Sequence, residues 1–98
     1  MKLLTQAILK KLPKLYSQEN IKDPVAQVKF FDPTGSFTWF ATEYDGEDTF
    51  FGKVFSHLCP EGELGYFSLS ELKSVKGPFG LGIERDLHFQ PKLLSECK

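Results

Sequence analysis

The sequence predicts an α+β fold: a four- to five-stranded, mainly antiparallel sheet with two helices packed on it. Three observations lead there. Short turns separate apolar, alternating runs between residues 25 and 67, which favours a meander over crossovers. Ten Phe, three Tyr and one Trp supply side chains that suit sheets. Two segments, around residues 5–12 and 68–77, carry residues that start and stop helices. Ninety-eight residues are expected to form one domain with a core that needs no staples.

The elements follow in order. Thr5 is suited to cap a first helix, because its hydroxyl can accept from a first-turn amide. Leu4 and Leu9 have staple spacing, and Leu4, Ile8, Leu12 and Leu15 recur at helical spacing. Pro13 disfavours helical geometry at Leu12 and should end the helix there. Residues 17–24 are polar and read as a loop. Residues 25–31 read as a strand, with Ala26, Val28 and Phe30 on one face. Asp32, Pro33, Thr34 and Gly35 suit a type I turn.

A second strand is expected over 36–44, with Phe37, Trp39, Ala41 and Glu43 opposite Thr38, Phe40, Thr42 and Tyr44. The acidic turn 45–48 leads to a third strand over 49–57, with Phe51 and Phe55 opposite Phe50 and Val54. Residues 59–63, CPEGE, read as a break, and a short strand around Leu64, Tyr66 and Phe67 follows. Ser68 and Glu71 form a capping box, Phe67 and Leu72 a staple, and the helix spans 69–75. Gly77 is expected to end it in the left-handed conformation, with Pro78 blocking continuation. Residues 83–89 alternate like a fifth strand, on which Arg85 is the odd residue of an apolar face. Residues 91–98 read as a tail.

Charge and chemistry narrow the function classes. Residues 1–29 carry six Lys against Glu19 and Asp23, a balance of +4. Residues 30–72 carry eight acids against Lys53, a balance of −7, and residues 73–98 return to +2 from five bases and three acids. An acidic middle between basic ends argues against a uniform nucleic-acid surface. With two cysteines, no cleavable leader pattern at the start and no apolar run of membrane length, the expectation is a cytoplasmic chain with reduced thiols.

His57, Cys59, His88 and Cys97 are the soft metal ligands, and their spacing matches no zinc pattern. Gly77, Gly80 and Gly82 follow a helix, whereas phosphate-binding glycines precede one. Glu84, Asp86 and His88 share a strand face; acid–base work would need them buried in a cleft. No cofactor is expected. Trp39, Phe37, Phe51, Phe55, Tyr44 and Tyr66 outnumber what one sheet face can bury, so part of them could stack bases or anchor a protein.

The stretches TQAILKKLPKLY, VKFFDP, FTWFATEYDGED, FFGKVFSHL, ELGYFSLSEL and KGPFGLGIERDLHF resemble the domain-of-unknown-function 2958 family. The likeness covers nearly the whole chain and is best over 65–89. It implies a bacterial origin on a plasmid or other mobile element. It implies no activity, substrate or catalytic residue.

The expected function is therefore non-enzymatic binding of a protein partner, as an accessory factor or an inhibitor of a host defence or nuclease system. The alternative is single-stranded nucleic-acid binding through sheet aromatics. Two surfaces are expected to make the contact. One is the acidic turn with Glu43, Asp45, Glu47 and Asp48. The other runs through Lys76, Pro78, Phe79, Gly80, Glu84, Arg85 and Asp86.

Overall fold

The structure, a computed structural model, describes residues 2–77 and 80–98. The predicted contact residues Pro78 and Phe79 lie outside the described residues. Helix α1 (Gln6–Lys11) starts as its residues dictate: Thr5 Oγ1 accepts from the Ile8 amide at 3.2 Å. Leu12 leaves the helix in extended geometry, one residue before Pro13. Ile8 and Leu12 pack on the core and Leu4 is buried, while Leu9 stays exposed.

Five strands form one antiparallel sheet in the order β5-β4-β3-β2-β6. Strands β2 (Val28–Phe31), β3 (Thr38–Tyr44), β4 (Thr49–Ser56) and β5 (Cys59–Ser68) make the meander. The chain then returns through α2 (Leu69–Ser74) and adds β6 (Glu84–Arg85) to the far side of β2. Both helices cover one face. There Phe30, Trp39, Tyr44, Phe50, Phe67 and Leu72 form the main core, with Leu3, Leu4 and Ile83. The rings interlock: Phe50 stacks on Tyr44 and on Phe67, and meets Phe30 edge-on.

Asp32–Gly35 closes as predicted. Gly35 N–H donates to Asp32 O at 3.2 Å, and Asp32 Oδ1 accepts from the Thr34 amide at 3.0 Å. In the second turn, Asp45 Oδ1 accepts from the amides of Glu47, Asp48 and Thr49. Those three bonds hold the Asp45 carboxyl below its ordinary range.

Helix α2 starts at Ser68, whose Oγ accepts from the Glu71 amide at 3.1 Å. The other half of the capping box differs from expectation. Glu71 Oε1 accepts from the Ser68 hydroxyl, at 2.9 Å. Asp48 adds a second cap, taking the Ser70 amide on Oδ1 at 2.8 Å and the Ser70 hydroxyl on Oδ2 at 2.9 Å. Gly77 does not end the helix. Val75 already turns extended, and Gly77 has no positive φ. A Cβ there would crowd only the Thr34 hydroxyl, the end of an exposed side chain.

The structure corrects the sequence reading at five further places. Residues 25–31 are two strands. β1 (Val25–Ala26) pairs with β7 (Lys92–Leu93) in a separate ladder, and only β2 joins the main sheet. Ala26 therefore packs on the second sheet face, while Val28 and Phe30 pack on the first.

In β3 the register shifts between Ala41 and Glu43, so Thr42 is an extra residue. The bulge inverts the predicted faces beyond it. Tyr44 joins Trp39 and Ala41 in the core, and Glu43 turns to the other side.

Residues 59–63 lie within β5, and the turn is the two residues His57 and Leu58. The pairing is nevertheless interrupted there: Ser56 pairs with Cys59 and Val54 with Glu63, so 60–62 form an irregularity in the ladder. Pro60 and Gly62 are tolerated because β5 is an edge strand. Residues 83–89 pair only at Glu84–Arg85. After that, Asp86 Oδ1 accepts from the His88 amide and turns the chain. Arg85 sits at the sheet edge and donates from Nη1 to Lys2 O at 2.6 Å.

The tail, finally, is docked. After β7, a 3-10 turn (Leu94–Glu96) buries Leu94 and Cys97 with Phe40 and Ala26 on the second face. Burial pushes the Cys97 thiol above its ordinary range.

Candidate ligand groove

The second sheet face is covered at one end by the docked tail and left open at the other. The open part is a groove of about 550 Å³, within the range of ligand sites. Its floor is Thr42 and Glu43 of β3 with Phe51 of β4, and Lys53 of β4 reaches its rim. Leu64 and Tyr66 of β5 form one wall, loop residues 16–24 the other, and Leu94 and Ser95 close one end.

The bulge in β3 is what aims two consecutive side chains at this floor. The Thr42 hydroxyl is used at once, donating to Phe51 O at 3.1 Å. Glu43 is 3% exposed and fixes the opposite wall. Its Oε1 accepts from the Tyr16 amide at 3.0 Å and its Oε2 from the Gln18 amide at 2.7 Å. One carboxylate thus clamps a loop that has little regular structure of its own. Tyr16 has φ of 70°, a left-handed conformation that a bulky residue adopts only when held. Pro13 O also accepts from the Tyr44 amide at 2.9 Å, which lays the start of this loop along β3.

The loop's far end is held by the tail. Asp23 accepts the Ser95 amide on Oδ1 at 3.0 Å and the Ser95 hydroxyl on Oδ2 at 2.6 Å. Leu94 N–H donates to Pro24 O at 2.8 Å. The Ser95 hydroxyl first, and its amide second, hold the Asp23 carboxyl below its ordinary value of 3.8. Such bonds favour the carboxylate in the folded state. Their contribution is present above the ordinary value and is lost as pH falls through the lower folded one. The stability gap between wild type and Asp23→Asn should therefore be widest near neutral pH and narrow as pH falls below the ordinary carboxylate value of 3.8. Urea melts across that range test this, and a gap constant in pH would contradict it.

The walls carry exposed apolar surface. Tyr16 is 58% exposed, Tyr66 57% and Leu64 63%. The Tyr66 ring meets Tyr16 and Phe51 edge-on, with centroids 6.3 and 5.0 Å apart. Desolvation, then Tyr16, then the charges of Glu19 and Glu43 raise the Tyr66 phenol above its ordinary range. At the rim, Lys22 and Lys53 stand against Glu19 and Asp23.

The residues singled out from sequence are distributed differently. Glu43, expected on an interaction surface beside the acidic turn, lies in the groove floor. Asp45 and Asp48 are occupied by the turn and the α2 cap, and Glu47 is exposed. Lys76 pairs with Gly82 in an isolated bridge, and Gly80 takes a positive φ of 72°. Gly77 packs on Thr34 in the β2–β3 turn, at the sheet end opposite the acidic turn. Glu84 and Arg85 are in β6, and Asp86 is 3.5 Å from Lys29 Nζ. The two proposed surfaces therefore do not form one patch.

Of the acid–base trio, His88 is exposed and Asp86 is engaged with Lys29. His57 Nδ1 lies 2.8 Å from Ser36 Oγ. Among the described residues, no three His, Cys, Asp or Glu side chains cluster as metal ligands would. No helix among them is long and apolar enough to cross a membrane.

Of the six aromatics expected to compete for burial, Trp39 and Tyr44 are core, and Phe37 stacks on Trp39 from outside. Phe55 packs under the tail. Phe51 and Tyr66 reach the groove. Tyr16, Ile21, Thr42, Lys53 and Leu64 were not anticipated as its lining. The alternation of Leu64 and Tyr66 against buried Phe67 was the one local hint.

These features define a small α+β protein with a half-open aromatic groove on one sheet face. The chain belongs to the family described as Protein of unknown function (DUF2958), which matches residues 3–96. No curated protein and no solved structure matches it.

Proposed function

We propose that this chain is a non-enzymatic binding protein whose groove receives part of a protein partner. The observation that carries the reading is the exposure of Tyr66 and Leu64 on one wall of a preformed groove and of Tyr16 on the other. Half-exposed tyrosines on rigid supports are suited to anchor protein contacts. The rim charges balance, Lys22 and Lys53 against Glu19 and Asp23, which suits a polypeptide better than a polyanion. On a plasmid or phage, such a protein would serve as an accessory factor or as an inhibitor of a host defence or nuclease system.

Capture of partners from the bacterial host, with quantified affinity, tests the reading. Tyr16→Ala with Tyr66→Ser should weaken the main partner by about 2 kcal/mol or more, about 30-fold. Charge reversal at Glu47 should leave it unchanged. Retention of full affinity by the double tyrosine variant would refute the groove's role. Salt-dependent binding of short oligonucleotides, lost in the same variant, would replace the protein partner with a single strand.

A further inference from the structure

The groove's outer wall is also the edge of the sheet. Strand β5 pairs with β4 on one side. Among the described residues, no backbone group of residues 60–67 bonds to anything beyond that ladder. The first half of β5 is protected against strand addition. Pro60 lacks an amide, and Gly62, with φ of 85°, breaks the extended run. The second half, 63–67, has neither device. There the two faces differ in chemistry. Leu64 and Tyr66 point to the groove. Glu63 pairs with Val54, which packs on the opposite, helix-covered face, and Glu63 is exposed there.

Building on the groove as a protein contact, we propose that β5 accepts an extended partner segment as a sixth strand, one with alternating apolar and basic residues. An added strand would take ladder bonds from 63–67. Its apolar side chains would lie beside Leu64 and Tyr66, and its basic ones beside Glu63. Charge complementarity selects the sign: β5 itself carries Glu61 and Glu63 and no Lys or Arg. The same charges argue against a second copy. Antiparallel pairing of two β5 edges over 63–67 would set each Glu63 opposite Phe67 of the other copy and leave it without a basic partner.

The probe is a fluorescein-labelled, end-capped peptide of about eight alternating Lys and Val residues, long enough to span the open edge. Fluorescence anisotropy with the full chain should show saturable binding, and amide exchange should slow in β5. N-methylation of alternate peptide amides, on the one phase that faces β5, should weaken binding by about tenfold or more. Glu63→Lys, an exposed change that leaves the fold intact, should reverse the preference toward the matching Glu–Val peptide. Glu47→Lys should leave the preference unchanged.

Absence of binding, or binding indifferent to N-methylation in both phases and to Glu63→Lys, would overturn strand addition. So would self-association of the protein through β5 in sedimentation. Partner capture still lost in the tyrosine variant, with no peptide pairing, would overturn strand addition alone and leave the groove reading standing.

Discussion

Replacing Gly52 with Ala is expected to remove about 3 kcal/mol or more of stability. Gly52 lies in β4, opposite Ala41 and one residue from the bulge in β3. A Cβ built there would stand 1.8 Å from Phe40 O, 2.8 Å from Phe40 C and 3.0 Å from Ala41 Cα. All three atoms are backbone, so no rotamer change relieves the overlap. Relief would require β3 and β4 to move apart where the sheet is most enclosed. Chemical and thermal melts measure the loss. For a chain of this size it corresponds to a fall of about 12 °C or more in Tm. Gly65 is the control. It pairs with Gly52 across the β4–β5 ladder, yet a Cβ there meets nothing within 4 Å. Gly65→Ala should be neutral or slightly stabilising, because glycine is the weaker strand former. Equal effects at the two glycines would refute the steric account.

The same glycine shows where reading from sequence stops. What is local was legible. Thr5 and Ser68 cap the helices they were expected to cap, Pro13 ends α1, and Asp32 and Asp45 organise the turns they begin. Each rests on bonds within a few residues. The bulge does not. Strict alternation puts Glu43 with Trp39 and Ala41, and nothing in β3 itself says otherwise. The close approach of Phe40 O to Gly52, on another strand, accompanies the register shift that sends Glu43 to the second face. Pro60 and Gly62 misled for a related reason. They read as a break because a central strand would exclude them, and only the sheet order shows that β5 is an edge. The groove was the least legible feature of all. Its walls come from a loop at 16–24, from β5 and from the docked tail, segments far apart in the chain. An exposed Tyr on a strand can be suspected locally, but its concave surroundings cannot.

Glu43 is where these features meet, and its removal is the second large effect expected. The side chain is buried and makes two bonds, one from each oxygen, to the amides of Tyr16 and Gln18. Glu43→Ala deletes both acceptors. Two partly buried amides lose their partners, a loss of about 3 kcal/mol. The left-handed geometry of Tyr16, itself unfavourable by about 1–3 kcal/mol, then has less to hold it. Relaxation of that strain is the reason to expect the loop to leave the sheet before the sheet itself opens. Glu43→Gln should fall between, since its amide keeps one acceptor and sets a donor against the other N–H. Amide exchange separates a local from a global loss. In Glu43→Ala, the Tyr16 and Gln18 amides should exchange at nearly unprotected rates while β3 and β4 remain protected. If the loop amides stay protected and stability changes by less than about 1 kcal/mol, the carboxylate is not what holds the wall. A detached loop would also take Tyr16 away from Tyr66. Glu43→Ala should therefore weaken partner binding as strongly as loss of the two tyrosines, although its side chain is almost wholly inaccessible to a partner.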